Sequence, residues 1–468
     1  MRHRVSLPLL TAFALTALAC SSSDDGGGGG TDTGTPVVDS GTTDSGGGDT
    51  PTDSGDAGPS DPLQADRDAC KFKAGAKVAD TLGLTADKRT AIPINHVIVV
   101  MKENRSFDHY FGNLPKAGRT EVEGLPADAS NPDKTGKKIA AFHQTDACVK
   151  PDPAHQFTNM HAMFDGGKLD GFVTNAIDNS TVADAPFTTD GAFVMGNYEK
   201  ADLPFYYYLA DTYAVADHYF GSALSGTWSN RTFLLTGSAY GIKNTGSDFI
   251  ASGTHVIFDD LDAAKVTWGA YSDDVPLDGT LLGAGYGTAH ANIFNQAKFL
   301  SQLADGTLPQ VAFLDAGPLN VLDEHPPADV QKGEDWTKKV YDAVVASPLW
   351  LKDGKGIAMI FTFDESGGFY DHVVPPKACI PSADQTEWDN LGFRVPFVMV
   401  SPFAKQKYVS KTTHSHTSVT RLIETIFDLP AMTARDANSD ALLDMFDFTG
   451  TPLSKPPTSP AAGTGGCK

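Results

Sequence analysis

The sequence predicts an α/β fold with a mostly parallel sheet covered by helices on both faces, and three observations predict it. Apolar runs of strand length recur at residues 96–101, 266–271, 311–314, 357–363 and 395–400. Segments of helical character lie between them, at 203–213, 230–237, 335–346 and 417–427. Polar residues gather where the runs stop. Strands buried on both faces read as continuous apolar runs, and strands alternating with helices give parallel sheets. Ligands of such sheets bind in the crevice outside the carboxyl ends of the strands.

The first 61 residues stand apart from this pattern. Arg2, His3 and Arg4 precede an apolar run at 7–18 that is too short to span a bilayer and fits a secretory signal. Ala17-Leu18-Ala19 before Cys20 resembles a bacterial lipoprotein cleavage box, with Cys20 as the lipidated residue; an ordinary signal-peptidase cut nearby is the alternative. Residues 21–61 are Ser, Asp, Gly and Thr with almost no apolar side chains, so they cannot offset the entropy of ordering and form a disordered tether. The division that follows is 1–20 signal peptide, 21–61 tether, 62–453 one globular domain and 454–468 a flexible Pro/Gly-rich tail. The expected location is the cell envelope, as an outer-membrane lipoprotein or a periplasmic or secreted protein.

Nine aspartates and no Lys or Arg lie in 21–61, so the tether carries much of the −22 formal charge. That balance argues against nucleic acid as a partner. Four cysteines remain after Cys20: Cys70, Cys148, Cys379 and Cys467. They allow up to two disulfides in an exported protein, and spacing leaves all three connectivities open.

In the globular part, the run at 96–101 ends in Glu103 and Asn104, a carboxylate beside an amide oxygen. The run at 357–363 ends in Asp364-Glu365-Ser366-Gly367-Gly368. Adjacent residues on a strand point to opposite faces, so both acids reach one site only if the chain turns, which the glycines permit. Ser225-Gly226-Thr227-Trp228 opens a helix, where a hydroxyl meets free backbone N–H groups and the positive end of the helix dipole. A Thr in this position is also a common N-cap. His155, Asp323-Glu324-His325 and Asp371-His372 add imidazoles, the last two beside carboxylates. Ser106 and Asp108 read as caps of the next helix, and His414 and His416 as polar residues at a helix start, with His416 near a strand end. The oxygen-rich set describes a site for a hard-to-borderline divalent cation, and a Thr hydroxyl needs such an activator.

Longer segments carry a resemblance. ENRSFDHYFG at 103–112, GTWSNRTFLLTGS at 226–238, TFDESGGFYDHVVPP at 362–376 and VPFVMVSPFAK at 395–405 resemble the phosphoesterase family of bacterial phospholipases C and acid phosphatases, over about residues 93–430. The resemblance implies an alkaline-phosphatase-like three-layer sandwich with long loop insertions, such as those at 120–138 and 273–288. It implies Thr227 as a transiently phosphorylated nucleophile, and Glu103, Asn104, Asp364 and Glu365 as ligands of one divalent metal ion of unspecified identity. His155, His325 and His372 then bind phosphoryl oxygens or protonate the leaving group, and Asn230 and Arg231 bind or position the substrate. Many members have His at Ser366 and Pro at Ser229; the first departure removes an imidazole from the site.

His-Tyr-Phe-Gly after Ser-Phe-Asp, Asp-Glu before Gly-Gly, and a Thr nucleophile place the chain on the phospholipase C side of that family. The expected activity is hydrolysis of phospholipid phosphodiesters, with an acid phosphatase acting on monoesters as the alternative. Partners are then a phospholipid or small phosphoester and, through the lipid anchor, a membrane surface. A non-catalytic surface lipoprotein that binds phosphorylated ligands is the rival from another class.

Overall fold

The first apolar run lies in β1 (Ile94–Lys102), which is buried along its length except at the half-buried Asn95. The computed structural model describes residues 61–177, 190–246, 249–274 and 292–467. Residues 1–60, with the expected signal peptide, the Cys20 cleavage site and nearly all of the tether, lie outside the described residues, as does most of the insertion at 273–288.

Nine strands form the main sheet among the described residues. After β1 come β2 (Ala214–Ala216), β3 (Trp268–Ser272), β4 (Ile293–Asn295), β5 (Val311–Asp315), β6 (Leu351–Lys352), β7 (Lys355–Phe363), β8 (Phe397–Val400) and β9 (Val409–Ser410). Their order across the sheet is β9-β2-β8-β7-β1-β5-β3-β4, with β6 folded back on β7. β1 runs parallel to both β5 and β7, and β3 is parallel to β5 and β4. β8 is antiparallel to β7 and to β2.

Strand alternation shows how helices cover both faces. Phe361 of β7 stacks on Tyr206 at 4.8 Å, which places α2 (Pro204–Thr212) on that face. Val100 and Leu314 stand beside Phe361 in register, and Tyr271, the next in line, meets Phe299 of α5 (Gln296–Asp305) at 5.3 Å. α6 (Val330–Ala346) packs here too, through Tyr341 on Phe205. Phe313 points the other way and meets Phe258 of α4 (Ile257–Ala263) at 5.2 Å. α3 (Thr227–Thr236) shares this second layer, its Arg231 reaching the Met101 carbonyl, and α7 (His416–Phe427) is tied to α3 by Thr420 Oγ1 donating to the Leu234 carbonyl at 2.7 Å. α1 (Phe107–Phe111) follows β1 directly.

Two disulfides settle the open connectivity as Cys70–Cys379 and Cys148–Cys467. The second corrects the expectation of a flexible tail at 454–468. Gly463 N donates to Glu334 Oε2 at 2.7 Å, Gly466 N to Gln331 Oε1 at 2.8 Å, and Ala147 N to the Gly466 carbonyl. The tail is therefore a strap along α6. Proline and glycine content suggested freedom, but these backbone groups are held by buried partners and a covalent end.

Candidate active site

β1 and β7 are neighbours and end side by side, so Glu103-Asn104 and Asp364-Glu365 are delivered to one place. Asn104 turns the chain with φ 65°, a left-handed conformation that Asn tolerates better than most residues. Its N–H donates to Asp364 Oδ1 at 3.1 Å. Gly367 and Gly368 have φ 64° and 73°, and a Cβ at Gly367 would collide with the Asn104 carbonyl. The glycines thus make the sharp turn that lets both acids face the same site, as the sequence required.

Thr227 is the first helical residue of α3; the N-cap is Gly226, which has no side-chain cap bond. The Thr227 hydroxyl is buried and donates to Asn104 Oδ1 at 3.4 Å, so it serves no capping role. Asn104 Nδ2 in turn lies 3.2 Å from His155 Nε2. His155 Nδ1 is 2.6 Å from the Pro153 carbonyl, which can only accept, so the ring proton sits on Nδ1 and Nε2 accepts from Asn104. His325 is arranged alike: Nδ1 faces the Pro326 carbonyl at 2.8 Å, leaving Nε2 toward Asp152 Oδ2 at 3.7 Å. The two imidazoles stand 5.7 Å apart. Asp152, His155 and His325 each bring a ligand atom within 4.8 Å of the others.

Arg231 lies behind these groups, buried, and pairs with Asp315 at 2.6 Å, Glu103 at 3.3 Å and Asp364 at 3.5 Å. Burial pushes the carboxyls of Glu103, Asp364 and Glu365 above the ordinary range; mutual repulsion with Asp364 adds to this for Glu103 and Glu365, and Arg231 opposes it for Glu103 and Asp364. Asp323 is likewise raised by burial, to about 6. Asp364 Oδ2 and Glu365 Oε1 are buried with no hydrogen-bond partner. A buried carboxylate oxygen is costly unless a cation faces it, and Arg231 Nε approaches Asp364 Oδ2 only to 3.5 Å. Together with the Asn104 amide oxygen these two carboxylate oxygens fit a divalent metal ion, whereas Glu103 is turned toward Arg231.

The structure gives several of the expected residues partners that the sequence did not show. Asn230 is fully buried and spends its amide on the turn before α3, donating to the Ser225 carbonyl at 2.7 Å and accepting from Ala223 N at 3.0 Å. It shapes the turn that leads into Thr227. Arg231 is saturated by carboxylates and is a positioning group. His372 pairs with Asp108 Oδ2 at 2.6 Å, next to Arg394, which also binds Asp108 at 3.0 Å and Asp371 at 2.8 Å. That buried network, and not a cap of α1, is the place of Asp108; Ser106 does cap α1, accepting from His109 N.

Two contributors, Asp315 and Asp152, escaped the sequence reading, and a third, His416, was placed only as near a strand end. Asp315 ends β5 as Asp364 follows β7, and an apolar run taken one residue further reveals it. Asp152 sits between His155 and His325. His416 opens α7, and its Nε2 lies 2.5 Å from the Asp364 carbonyl.

The phosphoesterase family profile matches residues 94–430. The chain belongs to the phosphoesterase family. It is 29% identical over 400 residues to non-specific phospholipase C6 of Arabidopsis thaliana, covering 78% of this chain and 74% of that protein. Phospholipase C B of Mycobacterium tuberculosis (strain ATCC 25618 / H37Rv) is 28% identical, covering 78% and 80%. Among solved structures, the lipoteichoic acid synthase LtaP from Listeria monocytogenes gives a TM-score of 0.39 at 8% identity, over 81% of this chain and 82% of that one. This phosphoesterase is therefore a hydrolase acting on phosphoric ester bonds.

Proposed function

We propose that this phosphoesterase is a metal-dependent phospholipase C that cleaves the glycerol-side phosphodiester of a phospholipid through a phosphothreonine at Thr227. The observation that carries the reading is the Thr227 hydroxyl at the start of α3, held by Asn104 within reach of the buried carboxylates and His155. Thr227 Oγ1 attacks phosphorus, the bond to the glycerol oxygen breaks, and diacylglycerol leaves with a proton. Water then attacks the phosphothreonine, the phosphorus–Oγ1 bond breaks, and the phosphorylated head group departs.

The N-terminal N–H groups of α3 favour the negative charge that gathers on the phosphoryl oxygens. His155 and His325, with Nε2 turned toward the site, accept and return the proton. Asn104, Asp364 and Glu365, with Glu103, would hold the divalent ion, which supplies Lewis acidity to the hydroxyl and the phosphoryl oxygen when bound. Arg231 and His416 fix the carboxylates and Asp364 in place.

The export signal and Cys20 extend the reading to an envelope protein anchored at a membrane surface. Incorporation of labelled fatty acid by the wild type and its loss in Cys20→Ser tests that part. For the chemistry, a chromogenic phosphocholine diester and a phosphate monoester are compared with wild type and Thr227→Ala, with and without chelator. Faster diester hydrolysis that is lost in Thr227→Ala and on chelation is expected. Full activity in Thr227→Ala sinks the mechanism, and a monoester preference moves the reading to an acid phosphatase.

A further inference from the structure

We propose that His414, Asp440 and Asp444 form a second cation site, separate from the catalytic groups and built for a divalent transition-metal ion such as Zn2+. His414 is only 1% exposed, yet its Nδ1 makes no hydrogen bond, and Asp444 Oδ1 makes none either. One ligand atom from each of the three residues lies within 4.8 Å of the other two. His414 and Asp440 line a cleft of about 560 Å³ that gives an ion and its water a way in.

The surrounding hydrogen bonds decide which nitrogen is available. Ser410 Oγ donates its single proton to Asp444 Oδ2 at 2.5 Å, so toward His414 Nε2, 3.0 Å away, it accepts. Nε2 therefore carries the ring proton, and Nδ1 of the neutral imidazole presents a lone pair. That lone pair faces Asp440 Oδ1 at 3.4 Å. Two lone pairs in that position repel, and the gap is longer than a normal N–H···O bond. It matches the separation of two ligands on one tetrahedral Zn2+, about 3.4 Å for bonds of about 2.0–2.1 Å.

The carboxylates are also braced. Asp440 Oδ1 accepts from Leu442 N at 2.7 Å, and Asp444 Oδ2 from the Tyr408 hydroxyl at 3.3 Å, the kind of outer bonds that orient metal ligands. Asp444 Oδ1 lies 3.5 Å from Nε2. One imidazole nitrogen and two carboxylates suit Zn2+ better than Ca2+ or Mg2+, and their −2 charge is cancelled by one such ion. The competing occupant is a second proton on His414. An ion here ties the loop at 438–445 to the segment that launches α7, so its presence is read in stability and in stoichiometry.

The test uses the full chain carrying Asp364→Asn and Glu365→Gln, freed of metal by chelator and titrated with ZnCl2 by calorimetry. Adding Asp440→Asn and Asp444→Asn is expected to remove one equivalent of Zn2+ and the associated rise in thermal midpoint. The metal-free midpoint of each variant is the baseline against which that rise is read. His414→Gln in the same parent provides the second variant and should remove the same equivalent. Unchanged stoichiometry in both variants overturns the proposal, as does a parent that takes up no Zn2+.

Discussion

Replacing Arg231 by Met leaves Glu103, Asp315 and Asp364 around a side chain of similar length but no charge. All three acids are at most 5% exposed, so water cannot take over the role of the guanidinium. Breaking one buried ion pair by removing a partner costs about 3–5 kcal/mol, and here one removal breaks contacts at 2.6, 3.3 and 3.5 Å. A loss of at least about 3 kcal/mol in unfolding free energy follows at neutral pH. The pH dependence is specific. Glu103 and Asp364 already titrate above their ordinary range in the folded protein, and without Arg231 they rise further. A carboxyl whose folded pKa is raised favours the native state at low pH, where it is protonated, and penalises it as pH climbs through the folded value. The deficit of Arg231→Met should therefore be largest near pH 7.5 and shrink toward pH 5. Guanidinium unfolding of wild type and variant at both pH values, in chelator and with disulfides intact, measures it. A deficit below about 1 kcal/mol, the scale of a surface ion pair, or one that is equal at the two pH values, refutes the reasoning.

Other expectations rest on separate features. Burial, reinforced by Arg231, pushes His416 down to about 4. Its contribution to stability is thus present above the unfolded value near 6.5 and is lost as pH falls toward 4, so His416→Asn should flatten that part of the stability profile by about 3 kcal/mol. Gly367→Ala forces a left-handed residue against the Asn104 carbonyl; strain of about 1–2 kcal/mol directed at Asn104 should lower kcat/KM roughly tenfold, measured on the diester. Cys148→Ser with Cys467→Ser should cost about 3–5 kcal/mol, and hydrogen exchange should quicken in residues 146–155, which the strap holds. Slow exchange there in the double variant would show that the strap does not order the segment.

The parts of this architecture that were legible in the sequence are those where burial leaves a continuous apolar signature. β1 and β7, nine residues each, were visible for that reason, and their polar ends located Glu103, Asn104, Asp364 and Glu365. β2, β4 and β9 have two or three residues and carry no period to read. The reversed direction of β8 was equally hidden, since an apolar run looks the same both ways. The partner of His372 was hidden because its neighbour Asp371 suggested a local pair. Its partner is Asp108, 264 residues away, brought there by Arg394 from a third segment. Long-range charge networks leave no mark in local sequence.

The strap that ends at Cys467 imposes an order of events on the making of the enzyme. The segment bearing Asp152 and His155 leads on from Cys148, whose partner lies 319 residues further along the chain. During synthesis that segment exists long before its clasp, and the clasp closes only where thiols are oxidised. A chain still being made, or still in a reducing compartment, thus lacks the tether on the segment that bears His155. The loop that closes last is thus the one that restrains the segment bearing His155.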